Sequence, residues 1–236
     1  MEILDRLQHF GFTDAAALAI LVVGWAVIGW IIENPSAHKP SVTALMARYR
    51  REWFVQFVTR DPRIFDSNIL ATMREGTTFF ASACMISIGG GLALLGNTER
   101  LLGVARDLTL ETGPAVVWEI KLIVILLFVA NAFLKFVWAH RLFGYCAVVM
   151  ASVPNDVAHP GAQSRAQQAA ELNITASRSF TRGMRSIYFA LAALAWLLGA
   201  APLVGAVLLT LVVIWRREFA SQSRTVLLTP SQEPLT

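Results

Sequence analysis

The stretch Thr59-Arg60-Asp61-Pro62-Arg63-Ile64-Phe65-Asp66 alternates charges of both signs around a proline. Guanidinium groups oriented by neighbouring carboxylates form a charge-assisted fork for phosphate or carboxylate. Arg60 and Arg63, steered by Asp61 and Asp66, are therefore candidate anion or partner contacts. The same four side chains also suit a self-neutralised turn, the ordinary fate of surface ion pairs. Arg178, Arg182 and Arg185 recur at spacings of four and three, on one face of a helix entering the membrane, and suit anionic lipid head groups. Chemistry on such head groups would require the 60–66 cluster to meet Arg141 or Arg182 around one pocket.

A second set of polar residues lies in apolar surroundings: Glu119, Lys121, Asn131 and Lys135. An unpaired charge in hydrocarbon costs about 3 kcal/mol, so such residues are candidates for a transport or proton pathway. Asn131, Lys135 and Trp138 share one helical face. Against a pathway, Lys135 stands about one turn from His140-Arg141 and can snorkel to the interface, and Glu119 and Lys121 can reach the opposite one. A third set is small: Ala83, Ser87 and Gly91 at four-residue spacing, widened by Gly89 and Gly90, with Ala201-x-x-x-Gly205 as a complement. Small residues let membrane helices approach closely, within the bundle or between protomers. No nucleophile, base and orienting acid share a known spacing, and no phosphate loop or zinc signature is present. His9, His38, His140 and His159 form no ligand pair, and Cys84 and Cys146 read as buried thiols. No enzyme activity, cofactor or metal is expected.

What must position these residues is a membrane bundle. Of 236 residues, 56% are hydrophobic and 15% charged, with a mean hydropathy of +0.55; a soluble domain carries about a quarter charged residues. The net charge of +4 is assigned to membrane orientation and not to nucleic acid, because the arginines concentrate in particular loops. The N-terminal residues lack a basic signal region, so the first apolar run is expected to stay as an anchor.

Ile187 to Trp215 contains no charge and would measure about 43 Å as one helix, against a hydrocarbon core of ~30 Å. Gly199-Ala200-Ala201-Pro202 halfway along suits one helix ending and another beginning. A hairpin there keeps Arg178, Arg182 and Arg185 on the same side as Arg216, Arg217 and Arg224, as the positive-inside rule requires. The expectation is an all-α, polytopic membrane helix bundle of five transmembrane helices, about 14–33, 77–96, 116–140, 185–200 and 202–217, N-terminus out and C-terminus in. Cytoplasmic helix extensions are expected at about 63–76, 141–153 and 164–184, with a break at Gly144. The loop holding Glu99, Arg100, Arg106, Asp107 and Glu111 is net acidic and is expected outside. Between the first two spans, about 41–58, Val42, Leu45, Met46, Tyr49, Trp53 and Phe57 make one face of an amphipathic helix opposite Arg48 and Arg51. It reads as a membrane-surface helix, or equally as a helix capping the bundle.

Several of these segments recur together: Arg60-Asp61-Pro62-Arg63-Ile64-Phe65-Asp66, Phe79-Phe80-Ala81-Ser82 with the glycine-rich stretch after it, and Glu119-x-Lys121. The others are Phe136-x-Trp138-x-x-Arg141-x-x-x-Tyr145 and Arg182-Gly183-x-Arg185-x-x-Tyr188-Phe189-Ala190. In this combination, over roughly residues 10 to 220, the chain resembles an uncharacterised family of multi-pass integral membrane proteins of bacteria and plants, a domain of unknown function. The resemblance implies an integral membrane protein and supplies no activity or site residue. The function expected is that of an interaction or accessory subunit of a larger assembly in the bacterial cytoplasmic (inner) membrane. Its partners would be anionic head groups of the bilayer and a membrane protein or a second copy. The alternative is a small-solute or ion transporter or channel with Asn131 and Lys135 on the pathway.

Overall fold

The computed structural model describes residues 11–36, 38–97, 99, 102–103 and 114–229. They fold into α-helices: α1 (Phe12–Glu33), α2 (Val42–Thr59), α3 (Ile64–Leu95), α4 (Ala115–Ala151), α5 (Gly161–Leu194), α6 (Ala200–Phe219) and α7 (Gln222–Leu228). A 3-10 turn, Ala195–Leu198, continues α5. The helices begin and end for local reasons. The Ser41 hydroxyl accepts from the Ala44 N–H at 3.2 Å to cap α2, and donates to the Ile32 carbonyl at 2.9 Å, fastening that start to the end of α1. Asp61-Pro62 closes α2 and Pro114 precedes α4. Gly199 adopts φ +122°, a conformation that L side chains rarely take, and the chain reverses there. Beyond the reversal α6 runs back along α5 until Arg217 Nη1 donates to the Tyr188 hydroxyl at 2.6 Å.

α4 and α5 form the principal pair, with α3 laid on α4, α2 across α5, and α1 on α6 and α5. Two cores result. The apolar layer joins Leu21, Ile28 and Ile32 of α1 to Phe128 and Phe136 of α4, Phe189 and Ala193 of α5, and Leu203 and Val207 of α6. The other, at the basic end, joins Phe54 and Phe57 of α2, Leu70 of α3, Phe143 and Cys146 of α4, and Ala162, Ala166, Ala169 and Ala170 of α5. Phe80, Phe136 and Phe180 meet between them, with centroids 5.4–5.7 Å apart. A Cβ at Gly183 would stand 2.7 Å from the Phe136 ring, so glycine is what lets that ring seat against α5.

Among the described residues, four helical stretches are long and apolar enough to cross a membrane: Phe12–Glu33, Ile64–Leu95, Ala115–Ala151 and Ala200–Leu228, the last taking in α6 and α7. α5 is not among them. Its segments expected at 164–184 and 185–200 form one helix up to Leu194, in which only the end, from Ile187 onward, is free of charge. The expected break at Gly144 is absent, and α4 passes through it unbroken. Packing of Leu142, Phe143 and Cys146 on either side outweighs the roughly 1 kcal/mol that a helical glycine costs. α2 caps the bundle: it buries Leu45, Ala47, Phe54, Phe57 and Val58 and leaves Met46 and Tyr49 exposed. Its inward stripe is rotated from the expected one because α2 is wedged against α5. Arg100, Arg106, Asp107 and Glu111, which carried the acidic-loop expectation, lie outside the described residues.

Candidate functional site

The 60–66 cluster divides. Asp66 is fully buried and accepts from Trp53 Nε1 at 2.5 Å and from Arg60, with which it forms an ion pair. Arg63 turns to backbone, donating to the carbonyls of Val153 (2.9 Å), Pro154 (3.0 Å) and Val58 (3.2 Å), and stacks over Phe57. It thereby ties the α2–α3 turn to the α4–α5 connection. Asp61 is exposed. Arg63 also borders a pocket of about 400 Å³ beneath α2 with Ser67, Arg74 and Met150. Arg141 is exposed on α4, and Arg182 lies with Arg185 on the Glu33 carboxylate at the end of α1. The structure therefore does not bring Arg60, Asp61, Arg63 and Asp66 together with Arg141 or Arg182.

What it does assemble is a cleft of about 320 Å³ between the end of α1, the start of α2, the middle of α5 and the end of α6. Arg50, Arg178, Arg185 and Arg217 line it, with hydroxyls from Thr43, Ser177, Thr181 and Tyr188 and apolar walls from Ile32, Met184 and Ile214. Arg50 donates to Asn173 Oδ1 and to Met73 Sδ, at 3.5 Å in the second case. Burial pulls its pKa below that of an ordinary arginine, yet a guanidinium remains charged in a protein. Arg217 stacks over Tyr188 as well as bonding its hydroxyl. Arg178 is exposed and makes no ion pair among the described residues. Glu218, the one carboxylate on the lining, accepts from the Thr43 N–H (3.0 Å) and hydroxyl (3.0 Å) in the first turn of α2.

Within the apolar layer, Asn131 Nδ2 donates to the Ser186 hydroxyl at 2.6 Å, and the Lys135 carbonyl accepts from Ser179 at 2.8 Å. Neither Asn131 nor Lys135 lines the cleft, the pocket beneath α2 or the apolar groove described next. Lys121 does not reach outward. It is 8% exposed and lies over the rings of Trp118 (5.2 Å) and Trp196 (5.8 Å), while Trp196 Nε1 donates to Asp14 Oδ1 at 2.7 Å. Glu119, which directly follows Trp118, is half-buried. Ala83, Ser87 and Gly91 line an apolar groove of about 420 Å³ between α3, α4 and α5. Gly91 packs on Leu126, whereas Gly89 and Gly90 have nothing within 4 Å. Ala201 and Gly205 are exposed on α6, with open space around Gly205.

Sequence reasoning missed the links of Glu33 to Arg182 and Arg185, of Arg50 to Asn173, of Arg217 to Tyr188 and of Glu218 to Thr43. Asn173 had a signal: it continues the spacing of Ala162, Ala166, Ala169, Ala170 and Ala176, and a polar residue inside a small apolar stripe needs a partner. Arg50 and Arg217 counted only as loop charges, since nothing local joins them. Neither a curated protein nor a solved structure matches the chain. A family model, "Protein of unknown function, DUF599", matches residues 16–223, nearly the whole of the chain and all the helices that build the two cores. With four helices able to cross a bilayer, the chain is a multi-pass membrane protein of the DUF599 family.

Proposed function

We propose that this chain is an accessory subunit of a larger assembly in the bacterial cytoplasmic membrane, crossing the bilayer five times with its N-terminus out and its C-terminus in. The observation that carries the reading is the pair Gly89 and Gly90 on the outer side of α3. A helical glycine costs about 1 kcal/mol relative to alanine. At Gly91 close packing on Leu126 offsets that cost, but nothing lies within 4 Å of Gly89 or Gly90. A partner membrane helix laid across these glycines would gain from the close approach that they allow. Support for the fifth crossing comes from the reversal at Gly199, with Arg185 and Arg217 lining one cleft at the same end of the bundle. An inner location suits so basic an end.

The test uses Gly89→Cys and Gly90→Cys in native membranes, where Cys84 and Cys146 are buried and give little background. A short photo-crosslinker coupled through the new thiol, which on irradiation inserts into whatever lies against it, is expected to yield a discrete adduct heavier than the 25.9 kDa chain. An adduct containing a different protein supports the accessory role, and one of twice the chain mass makes the partner a second copy. Absence of any adduct, with a monomer in gentle detergent, would sink the proposal. The transport alternative has no comparable support, since Asn131 is engaged with Ser186.

A further inference from the structure

The cleft at the basic end holds more positive charge than its own residues cancel. Four guanidinium groups face one carboxylate, and that carboxylate, Glu218, is turned to the first turn of α2. Arg185 shares the single Glu33 carboxylate with Arg182. Arg50 is held by the neutral groups of Asn173 and Met73, Arg217 by a tyrosine hydroxyl, and Arg178 by no carboxylate among the described residues. Several guanidinium groups around one cavity suit a tetrahedral oxyanion such as a phosphate, whose several oxygens can be shared among them by paired, charge-assisted bonds. Arg50 and Arg217 are already fixed by these neutral contacts, so little freedom remains to be lost on binding.

The walls narrow the choice of phosphate. Ile32 and Ile214 line the cleft where the uncharged stretches of α1 and α6 end, and Met184 joins them from α5 one turn before its uncharged part begins. A soluble anion would gain nothing from these side chains, whereas an amphiphile would lay its chains along them. We propose that the cleft binds the phosphate head group of an anionic membrane lipid. Arg178 and Arg217, both exposed, meet the phosphate from the open side, Arg50 and the hydroxyls of Ser177 and Thr181 lie deeper, and the chains leave across the apolar wall.

The full-length chain in an uncharged detergent is titrated with short-chain phosphatidic acid, with short-chain phosphatidylcholine and with inorganic phosphate. Phosphatidic acid is expected to bind saturably and the other two at least roughly tenfold more weakly. Combining Arg178→Ala with Arg217→Ala should weaken phosphatidic acid binding by roughly tenfold or more. Arg51→Ala, which removes a charge paired with Glu171 away from the cleft, should change it by less than about twofold. Equal affinity of the wild type and the double variant would overturn the proposal. Inorganic phosphate binding as tightly as the lipid would also overturn it, assigning a free anion instead, and so would phosphatidylcholine. If the double variant does not fold, Arg178→Glu alone, which breaks no ion pair among the described residues, gives the same comparison.

Discussion

The two cores are built on different principles. In the apolar layer large side chains interlock and outward faces stay apolar; 33% of the apolar stretch of α4 is buried but only 6% of that of α3. Van der Waals fit and surrounding lipid hold such a layer, since hydrocarbon offers no hydrophobic drive between helices. At the basic end the inward stripe of α5 is alanine, so α4 and α5 approach closely, and specificity passes to polar links. Asn173 joins Arg50 of α2 to Cys146 of α4, Arg63 joins the α2–α3 turn to the α4–α5 connection, and Asp66 gathers Trp53 and Arg60. One layer is tuned by shape and the other by buried hydrogen bonds, which are costly to leave incomplete.

Asn173→Leu should separate the layers most sharply. It leaves the largely buried Arg50 guanidinium with only the weakly accepting Met73 sulfur, at a cost of about 3 kcal/mol. Thermal unfolding in detergent should fall accordingly, with hydrogen exchange rising in α2 and the first half of α5 while α1 and α6 keep their protection. A uniform rise would make the two layers a single cooperative unit. Gly183→Ala acts at the seam. Its methyl group meets the Phe136 ring, and after the gain in helix propensity a net loss of roughly 1–2 kcal/mol is expected. Exchange should then rise on both sides, and an effect confined to one side would move the boundary. Arg51→Ala should do least. The pair with Glu171 is about half exposed at both ends, so melting should shift by less than about 0.5 kcal/mol in stability.

Much of the apolar layer was legible in the sequence because hydrophobic length is a local property. The spans of α1, α3 and α4 stand where uncharged runs predict them, and Gly199 announces the reversal through a conformation that glycine alone tolerates well. The basic end was less legible. Glu33 meets an arginine 149 residues further along the chain, and Arg50 meets Asn173 across 123. No spacing rule connects such pairs before the helices have docked. The small residues of α3 were read as allowing close approach, and which of the glycines has a neighbour depends on the rotation of α3 about its own axis. Only Gly91 faces Leu126.

α4 is a single rod of 37 residues, about 56 Å long, nearly twice the thickness of a hydrocarbon core. It has no joint at which one portion could swivel without the other. A change in its lean against the lipid must sweep its far end sideways, carrying Cys146 and Met150 and pressing on the alanine stripe of α5. Packing on α3 and α5 sets that lean within what the bilayer thickness allows.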